Sequence, residues 1–560
     1  MTFEQIRRKA IAEWEALEDS EKPRIYIGTA TCGRSSGALK VLDHLNTELK
    51  KRNVAAQVIE VGCIGGCYLE PLVYIAKRNR PRIGYSHVTP EIASQLVTDY
   101  IVNDNPRPDL ALGTMGKGEV DGIPSLSELP MFKLQVRIAL RNCGYVDPGN
   151  INHYIANSGY SGLVRALEMT PEEVIEEVSQ SGLRGRGGAG FPTGNKWRIC
   201  HDAPGSEKYL ICNADDGAPG AKIGRSLLEG DPHSVLEGML IGAYAIGATQ
   251  GYIYIPAEYT LAIARLKTAL EQMEAYGLLG YNILGSNFNF HIEVKEGASA
   301  FICGEETALI RSLEGKRGMP YPRPPFPATS GLMGKPTIVN NVETWADVSA
   351  ILPKGAEWYA GYGTEQSKGT KIFALDGKVM RTGLIEVPMG ITLRQIVYDI
   401  GGGIPDGKEL KAAQIGGPTG GFLPAGALDF PVDYEHLTDA GSIMGSGGVI
   451  VADSDTCMVD LAKKSLSFAQ AESCGECVFC REGTTQMLEI LTDITEGRGK
   501  PDDLDLLLEL GEGAKLGSLC ALGRTAPNPV LTTIQNFREE YEAHIKRKQC
   551  PAKVCPKLIP

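Results

Sequence analysis

Four cysteines in the C-terminal part of the chain have the spacing of ligands for an iron–sulfur cluster. Cys474, Cys477 and Cys480 are separated by two residues each, and Cys520 follows much later. Three thiolates at this spacing can surround one 4Fe-4S cubane, while a distant fourth completes the ligand set and joins two helical segments. Zinc is the alternative, but zinc sites usually use paired cysteine knuckles, so the pattern predicts a 4Fe-4S cluster.

A glycine-rich loop is the second candidate site. Gly185, Gly187 and Gly188 flank Arg186 directly after a predicted helix, and Lys196 follows in the same stretch. Glycines let a backbone approach a phosphate closely, and the two cations would balance its charge. A flexible surface loop is the alternative interpretation of such a stretch, so the loop needs partners elsewhere in the chain to define a site.

Polar side chains that could be those partners follow two predicted strands of an α/β layer. The carboxyl ends of parallel strands share one edge of a sheet, where such folds bind ligands. Carboxylates and amides at this edge can form hydrogen bonds with ribityl hydroxyls and ring edges. The residues are Asn213, Asp215 and Asp216 after one strand, Gly304, Glu305 and Glu306 after another, and the amides Asn340 and Asn341.

Three cysteines near the N-terminus, Cys32, Cys63 and Cys67, resemble the ligands of a thioredoxin-like 2Fe-2S domain. The first ligand position of such a domain is occupied here by Ile27 or Gly28. Two interpretations stay open: a hydroxyl supplies an oxygen ligand, or the domain has lost its cluster and kept a docking role. The hydroxyl candidates are Thr31, Ser35 and Ser36.

A further set of soft ligands lies at the C-terminal end of the chain. His544, Cys550 and Cys555 are close in sequence, and Cys457 stands at the entry to the helical part. Thiolates with an imidazole suit a closed tetrahedral zinc site that would tie the tail to the helices. A disordered tail with free thiols is the alternative.

Composition excludes several classes of function. The 560 residues carry 68 acidic against 56 basic side chains, and no Lys/Arg stripe with interleaved aromatics indicates nucleic-acid binding. The longest apolar stretches contain Glu and Gly and are shorter than the roughly 20 residues that a bilayer requires. The first residues lack the pattern of a signal peptide. Together with 14 cysteines, most of them grouped as candidate ligands, this predicts a cytoplasmic, reducing location.

The order of strands and helices predicts a multidomain α/β chain. Residues 1–110 follow the order of a small thioredoxin-like domain, and residues 111–170 form a connecting region. Residues 171–335 alternate strands with long helices, which indicates a Rossmann-like layer with a largely parallel sheet. Short strands around one helix in 336–435 indicate a β-grasp domain, and residues 436–560 are predicted to form a helical bundle with a metal-binding tail.

Five motifs together resemble one family, across roughly residues 24–555. They are the glycine-rich loop, Asn-Ala-Asp-Asp-Gly at 213–217, Ile-Cys-Gly-Glu-Glu-Thr at 302–307, Asn-Asn-Val-Glu-Thr at 340–344 and Cys-Gly-Glu-Cys-Val-Phe-Cys at 474–480. The chain resembles the FMN- and NADH-binding (51 kDa-type) subunit of respiratory complex I and its relatives. The resemblance is greatest to the beta subunit of electron-bifurcating NAD-dependent hydrogenases.

The resemblance implies the cofactors and the roles of individual residues. FMN would lie with its phosphate against the glycines, and the nucleotide rings would stack near Phe191 and Phe326, with Lys196 and Glu306 contacting the dinucleotide. It also implies that the β-grasp domain is of the SLBB type. The implied FMN and nucleotide set is Gly185, Arg186, Gly187, Gly188, Lys196, Asn213, Asp215, Asp216, Gly304, Glu305, Glu306, Asn340, Asn341 and Thr344, with the two phenylalanines.

The expected function is that of an oxidoreductase subunit. It would exchange hydride with NAD(H) at FMN and pass single electrons through the 4Fe-4S cluster to iron–sulfur, flavin or catalytic partner subunits, with ferredoxin and electron bifurcation among the options. Ala218 and Gly224 depart from the family pattern, and the first of these positions lines the nicotinamide pocket in relatives. An intersubunit relay flavoprotein with an altered or idle nucleotide site, and a scaffold with incidental cofactors, are therefore the alternatives.

Overall fold

Three large sheets and a C-terminal group of helices make up the part of the chain described by the computed structural model, residues 2–116, 118–220 and 222–558. Each sheet and the helical group has its own cluster of buried apolar side chains. A mixed α/β fold with several cores is what a chain of this length requires, since single cores stop growing beyond about 250–300 residues.

The first sheet has the strand order β2-β1-β3-β4-β5. Strand β1 is parallel to β2 and antiparallel to β3, and the remaining pairs are antiparallel. The predicted boundary at residue 110 is wrong, because β5 pairs with β4 and so belongs to this sheet. The elements are α1 Phe3–Glu18, β1 Arg24–Gly28, α2 Thr31–Ser35, α3 Ala38–Lys51, β2 Gln57–Val61, β3 Val73–Ala76, β4 Arg82–Tyr85, α4 Pro90–Leu96, continued by a π-helical turn Val97–Val102, and β5 Ala111–Met115.

The described residues of the connecting region include three short α-helices and a 3-10 turn, Leu126–Glu128, and join the first sheet to the second. The α-helices are α5 Pro130–Lys133, α6 Ile151–Ala156 and α7 Ser161–Leu167. Helix α1 packs on α6, and Glu13 accepts hydrogen bonds from Asn150 (2.8 Å) and Asn152 (2.6 Å). The N-terminal helix therefore anchors on the connecting region instead of packing only on the first sheet.

The second sheet is parallel throughout and has the order β8-β7-β6-β9. Trp345 packs into α11 at Gly238 and Gly242, where a Cβ atom would lie 2.0 Å and 2.5 Å from it. Because β9 pairs with β6, the predicted boundary at residue 335 is also wrong. The elements are α8 Pro171–Gln180, α9 Thr193–Asp202, β6 Tyr209–Asn213, α10 Ile223–Gly230, α11 Pro232–Ile246, β7 Gln250–Pro256, α12 Thr260–Ala275, β8 His291–Gly297, α13 Glu306–Leu313, β9 Thr337–Asn341 and α14 Val342–Lys354.

The third sheet has the order β11-β10-β16-β13-β14, beside a two-stranded β12-β15 ribbon. Its central strand β16 lies beyond residue 435, so the predicted end of this unit is too early. The helix that the sequence predicts among these strands contains a π-helical turn, Gln395–Ile400. The elements are α15 Ala356–Ala360, β10 Thr370–Gly377, β11 Gly383–Pro388, β12 Ile391–Thr392, β13 Leu410–Ile415, β14 Phe422–Pro424, β15 Pro431–Val432, α16 Tyr434–Asp439 and β16 Gly448–Asp453.

The C-terminal helices form a bundle, as the sequence predicts. They are α17 Met458–Ala471, α18 Val478–Thr495, α19 Asp503–Gly517, α20 Ala521–Thr525 and α21 Asn528–Glu542, followed by a π-helical turn Ala543–Arg547. Helix α18 packs on both α17 and α19, and α21 packs on α17. Among the described residues, none of the helices combines the length and the apolar character needed to span a bilayer.

Candidate functional site

The topology of the parallel sheet places a crevice between β6 and β9. The chain runs from β6 to β7 and β8 on one side, and β9 then returns to the other side of β6. Ligands of open α/β sheets bind outside the carboxyl ends of the strands where the strand order reverses in this way. The register pairs Asn213 with Asn341 at those ends, so two polar residues that are distant in sequence lie side by side.

The glycine-rich loop lies over this crevice and leaves no room for larger residues. A Cβ atom on Gly187 would lie 3.3 Å from the Cβ of Asn341. Gly188 and Gly190 have positive φ angles of 126° and 64°, and a Cβ atom on Gly190 would lie 2.6 Å from the ring of Tyr434. Only glycine adopts such angles without strain, so the sequence of the loop follows from its close packing between two sheets.

Arg186 does not supply a free cation to the crevice, contrary to the expectation from the loop alone. Its side chain is fully buried and donates to the Tyr359 hydroxyl and the Lys368 carbonyl, both at 2.7 Å. Its Nε lies 3.6 Å from Asp347, and its backbone N–H donates to Thr344 Oγ1 at 2.9 Å. Arg186 therefore holds the loop in place from behind, and Thr344 also contributes to this support.

Asp215 carries a buried oxygen that has no hydrogen-bond partner in the described residues. Its Oδ1 accepts from the Gly217 amide at 3.2 Å, while Oδ2 is left unpaired. Burial raises the pKa of Asp215 to about 7. Asn213 lies beside it and donates to the Gly304 carbonyl at 2.8 Å. An unpaired buried carboxylate oxygen is costly, so this position suits a ligand that forms a hydrogen bond with it.

The two neighbouring asparagines have different roles. Asn341 caps helix α14 by accepting from the Glu343 amide at 2.9 Å, and it stays next to the loop. Asn340 is buried, and with its amide oriented to satisfy both neighbours it donates to the Val339 carbonyl (3.0 Å) and accepts from Trp197 Nε1 (3.2 Å). The structure therefore brings Asn341 to the crevice and uses Asn340 to pack helix α9 onto the sheet.

A chain of charges borders the crevice next to the loop. Lys196 Nζ contacts Glu306 (3.1 Å) and the Val339 carbonyl (2.8 Å), and Arg323 contacts the other oxygen of Glu306 at 2.6 Å. Burial opposes ionisation of Glu306, but Lys196 and Arg323 outweigh it and lower its pKa. Glu305 caps α13 by accepting from the amides of residues 307 and 308.

Two exposed aromatic rings, one of them beside Arg323, are available for stacking. Phe191 is 50% exposed and Phe326 is 55% exposed, and Arg323 lies 5.8 Å from the Phe326 ring centroid. Large apolar side chains with this exposure are positioned for a partner with a flat, partly polar surface.

Gly224 has a local reason for its departure from the family pattern. A Cβ atom there would lie 2.9 Å from the Asp216 carboxylate, which accepts from the Arg225 amide at 3.2 Å. Asp216 is buried, and burial raises its pKa. Asp216 therefore folds back onto the start of α10, while Asp215 faces the crevice. Nothing in the structure explains Ala218.

The crevice fits an FMN molecule by the chemistry of its donors and acceptors. Gly187 is exposed and can offer backbone to a phosphate, whereas the N–H and C=O of Gly185 are bonded to Phe191 and Tyr434. Asn213, Asp215 and Asn341 offer amide and carboxylate groups for a polar chain and ring. A depression of about 830 Å³ also borders the loop at Gly188, but its walls come from the third-sheet region and include none of the strand-end residues. We therefore place the candidate FMN site at the carboxyl ends of the strands and not in this depression.

The four cysteines predicted to hold a cubane come together at one end of the bundle. Cys480 and Cys520 are buried, and Cys474 and Cys477 are half-buried beside them. Burial raises the pKa of Cys480 to about 11, opposed by the Ser473 hydroxyl at 3.3 Å from its Sγ. Cys477 Sγ accepts from the Leu519 amide at 3.4 Å. Hydrogen bonds to the sulfurs favour thiolates, which are the form that binds iron.

The cubane site packs directly against the parallel sheet. Cys480 and Cys520 share an apolar cluster with Ile211 of β6 and Ile302 of the segment that leads into α13. The Phe301 amide donates to Glu472 at 2.8 Å, just before the first cysteine. The segment 301–305 therefore contacts the cubane site on one side and, through Gly304, the Asn213 side chain on the other.

Cys457, His544, Cys550 and Cys555 form a second, closed ligand group. All four are buried, and their ligand atoms lie within 4.8 Å of one another. His544 Nε2 is 3.4 Å from the sulfurs of both Cys457 and Cys555, and its Nδ1 contacts the Glu540 carbonyl at 2.7 Å. A tetrahedral ion with bonds of about 2.1–2.3 Å separates its ligands by roughly 3.5–3.8 Å, so the group has the dimensions of a zinc site.

The N-terminal cysteines also come together, although the expected hydroxyl partners do not join them. The sulfurs of Cys32, Cys63 and Cys67 lie within 4.8 Å of one another. Ser35 and Ser36 are exposed, and the Thr31 hydroxyl is bonded to Glu229 at 2.5 Å. A carboxylate oxygen of Glu70 lies 3.6 Å from the Cys32 sulfur. Sequence reasoning missed Glu70, although its position three residues after Cys67 was a readable signal.

Other residues that sequence reasoning missed support the loop. Lys371 and Glu343 form a fully buried ion pair, and Glu343 also accepts from the Ile372 amide at 2.8 Å. Tyr359 donates to Asp347 at 3.0 Å and completes the surroundings of Arg186. Glu343 belongs to the Asn-Asn-Val-Glu-Thr motif at 340–344, whereas Lys371 and Tyr359 lie on other elements and no local motif marks them.

Comparisons with known proteins give a consistent result. The Nuo51 FMN-binding domain family matches residues 178–350, and the NADH-ubiquinone oxidoreductase-F iron-sulfur binding region matches residues 460–544. The HndC subunit of the NADP-reducing hydrogenase of Solidesulfovibrio fructosivorans is 58% identical over 427 residues, which are 76% of this chain and 87% of that protein. The F 2 subunit of the NADH-quinone oxidoreductase of Rhizobium meliloti (strain 1021) is 46% identical over 74% of this chain and 99% of its own length. A crystal structure of an NAD+-reducing NiFe hydrogenase in the H2-reduced state matches with a TM-score of 0.65 at 28% identity, covering 97% of this chain and 88% of that one.

Proposed function

The chain belongs to the family of NADH-quinone oxidoreductase F subunits and their hydrogenase relatives, and from this premise we propose that it exchanges hydride between NAD(H) and a bound FMN. Single electrons then pass through its 4Fe-4S cluster to partner subunits of a redox complex. Both relatives are named as subunits, which supports a multisubunit setting for this chain.

One observation carries the proposal: the segment 301–305 contacts both candidate cofactor sites. Its Gly304 carbonyl accepts from Asn213 in the crevice, and its Ile302 packs with Cys480 and Cys520. A two-electron centre and a one-electron centre that share a wall of the protein can exchange electrons without a further carrier. This arrangement is expected of a protein that splits an electron pair.

For the flavin, the proposed contacts follow from the crevice. The backbone of Gly187 and Gly188 would hold the phosphate, and Gly185, bonded to Phe191 and Tyr434, would keep the loop in shape. Asp215 would pair its free oxygen with the ligand. Arg186, Thr344 and Asn340 would act from behind the site, because their side chains are bonded within the protein. The remaining proposed FMN residues are Lys196, Asn213, Gly304, Glu305 and Asn341, while Asp216, which is bonded to the start of α10, would also act from behind the site.

The nucleotide would bind on the exposed side of the same crevice. Phe191 and Phe326 offer the aromatic faces on which its rings would stack, and Lys196 with Glu306 would contact its polar groups. The Lys196–Glu306 ion pair keeps both charges in place before the nucleotide arrives, which reduces the entropy lost on binding.

FMN accepts two electrons as hydride and releases them one at a time, which is the chemistry that the site requires. The protein would contribute position and polarity. The buried Arg186 network fixes the loop, and the half-buried Asp215, with its pKa raised to about 7, can hold or release a proton near neutral pH. The four thiolates and their hydrogen bonds would set the potential of the one-electron acceptor.

We also propose a division of the chain that follows the strand pairing. It consists of a thioredoxin-like unit through β5, a connecting region, a Rossmann-like FMN unit through α14, a β-grasp (SLBB-type) unit through β16, and the helical 4Fe-4S unit. The group around His544 would hold a structural zinc ion that fastens the tail to the bundle.

Anaerobic titration of the purified, reconstituted chain with NADH and then NADPH tests the proposal. We expect NADH to bleach the flavin absorbance, and Lys196→Ala to weaken that response about tenfold, because a charged hydrogen bond of roughly 1.5 kcal/mol is lost. Lys335→Ala removes an exposed lysine paired with Glu207 and serves as the matched control.

The titration also separates the alternatives. A flavin that binds but is reduced only by a partner or dithionite would mark an intersubunit relay with an idle nucleotide site. Response to NADPH alone would move the assignment to NADP(H), in line with the name of the hydrogenase relative. A reconstituted chain with neither flavin nor acid-labile sulfide would refute the proposal.

A further inference from the structure

We propose that Cys32, Cys63 and Cys67 bind a single zinc ion, with Glu70 beside its fourth coordination position. The inference goes beyond the proposed function and does not rest on it. It replaces the two-iron cluster that the sequence leaves open with an ion that takes no part in redox chemistry, and so gives the N-terminal unit a structural role.

The distances between the sulfurs fit one ion and do not fit two irons. The sulfurs of Cys32, Cys63 and Cys67 all lie within 4.8 Å of one another, and those of Cys63 and Cys67 are 4.0 Å apart. Two sulfurs on one tetrahedral zinc ion, with bonds of about 2.3 Å, are separated by roughly 3.8 Å. Ligands that are divided between two bridged irons lie further apart than these three sulfurs do.

Comparison with the two other ligand groups of the chain leads to the same assignment. In the group around His544 all four ligand atoms lie within 4.8 Å of one another, as ligands of a single ion must. Among the described residues, no three sulfurs of the predicted cubane site meet this limit. The N-terminal sulfurs therefore have the geometry of the zinc-like group and not that of the group assigned to an iron–sulfur cluster.

Glu70 places a carboxylate oxygen at the edge of the three sulfurs. Its Oε1 lies 3.6 Å from the Cys32 sulfur, while its Oε2 accepts from the Leu72 amide at 3.0 Å. One thiolate and one carboxylate on the same zinc ion are separated by roughly 3.6 Å. The group that meets the 4.8 Å limit contains the three sulfurs alone, so Glu70 faces the ion from the side of Cys32.

The surroundings of these groups favour a bound cation. Cys63 is buried, and its sulfur accepts from the Gly65 amide at 3.3 Å, a contact that favours the thiolate form. Glu70 is 6% exposed, and within the described residues no lysine or arginine forms an ion pair with it. Burying such groups without a cation is costly, and a metal ion removes this cost. Thiolates with one oxygen in a tetrahedral arrangement suit zinc.

The site lies where three units of the chain meet. One residue before the first cysteine, the Thr31 amide donates to Glu229 of α10 at 2.8 Å. In the turn between the other two cysteines, the Gly65 carbonyl accepts from the Leu384 amide of β11 at 2.8 Å. An ion that fixes the three cysteines would therefore hold the first sheet against both the flavin-binding unit and the third sheet.

Metal analysis of the purified full-length chain tests the assignment. We expect about two zinc ions per chain, one here and one at the group around His544, together with the roughly four irons of the cubane. Cys63→Ser should lose one zinc ion and keep the irons and the flavin, whose contents report whether the variant folds. Cys200→Ser, which replaces a buried cysteine outside the ligand groups, is the control.

Glu70→Gln provides a second test that leaves all three thiolates in place. In competition with a zinc chelator, we expect this variant to release the N-terminal ion at a roughly 10–100-fold lower chelator concentration, the usual contribution of groups that support a metal ligand. Glu91→Gln, at an exposed carboxylate of the same unit, should respond as the wild type does. Zinc-edge X-ray absorption of His544→Ala, in which the N-terminal ion remains, should show three sulfurs at about 2.3 Å.

Several results would overturn the inference. Roughly six irons in the wild type, with a second cluster signal in the EPR spectrum, would show a two-iron cluster. Equal zinc contents in the wild type and Cys63→Ser, or a disulfide between Cys63 and Cys67 in the purified chain, would show that the group binds no zinc. An unchanged chelator response in Glu70→Gln would remove Glu70 from the site. Failure of the proposed function is distinguishable, because a chain with both zinc ions but no flavin would refute that function alone.

Discussion

The cubane site and the zinc-like site occupy the same helical bundle and use the same thiol chemistry, yet their geometries differ. The ligand atoms around His544 lie within 4.8 Å of one another, and all four residues are buried. Among the described residues, no three of the sulfurs of Cys474, Cys477, Cys480 and Cys520 meet that criterion, and two of these cysteines are half-buried.

The two groups therefore differ in the distances between their ligand atoms more than in residue type, which agrees with the redox role that we propose for the first and the structural role that we propose for the second. Ligands that share one ion must be close together, whereas the four thiolates of a cubane each bind a different iron and lie further apart. Location agrees with the geometry, since the wider site packs against the flavin-binding sheet and the closed site fastens the tail inside the bundle.

The largest expected effect is on the iron content of the cubane site, the wider of the two. Cys520→Ser should remove essentially all of the roughly four cubane irons, because serine is a poor ligand for this cluster. NADH should still bleach the flavin, while electron transfer from NADH to a one-electron acceptor protein should be lost. Iron analysis and stopped-flow absorbance measure the two outcomes separately.

Cys200→Ser is the control for that substitution, since Cys200 is buried away from both ligand groups. If Cys520→Ser kept its cubane and its electron transfer, the assignment of the fourth ligand would be wrong.

The next effect concerns stability at the closed site. His544→Ala should cost about 3 kcal/mol or more, because a structural ion loses a ligand, and should lower the thermal midpoint of the bundle by about 10 °C. Flavin reduction by NADH should persist at 25 °C. Calorimetry with and without a zinc chelator measures the change.

The control for His544→Ala is Glu539→Ala, which replaces an exposed residue of α21 by the same side chain. The comparison between the two sites would fail if His544→Ala left the stability unchanged and instead shifted the reduction potential of the cubane.

The smallest expected effect is a change in the reduction potential of the cubane site that leaves its stability unchanged. Ser473→Ala removes the hydroxyl that lies 3.3 Å from Cys480 Sγ, and loss of a hydrogen bond to a cluster sulfur stabilises the oxidised form. We expect a more negative potential for the cubane with no change in thermal midpoint. Redox titration followed by EPR gives the potential, and Thr485→Val on α18 is the control.

A potential that moved in the positive direction, or an equal shift in the control, would contradict this account of how the protein tunes the cluster. An accompanying fall in the thermal midpoint would instead give Ser473 a mainly structural role.

Much of the fold could be predicted from local patterns. The helix Ala38–Lys51 and the strand Tyr209–Asn213 lie in units where the order of elements predicts helices and strands, because each buries one face or one short apolar run. Strands β5, β9 and β16 were missed or assigned to the wrong unit. Their membership depends on pairing with strands that are distant in sequence, and no local pattern records that pairing.

For this protein, the sequence by itself determined which residues can bind metals and phosphate, since cysteine spacing and glycine runs are local properties of the chain. Only the tertiary structure decided which of these groups act together. It turned Arg186 and Asn340 away from the crevice, left an oxygen of Asp215 free, and brought Glu70 to the N-terminal cysteines. The reason is that burial, hydrogen-bond partners and interatomic distances arise from packing between remote elements, which spacing along the chain does not specify.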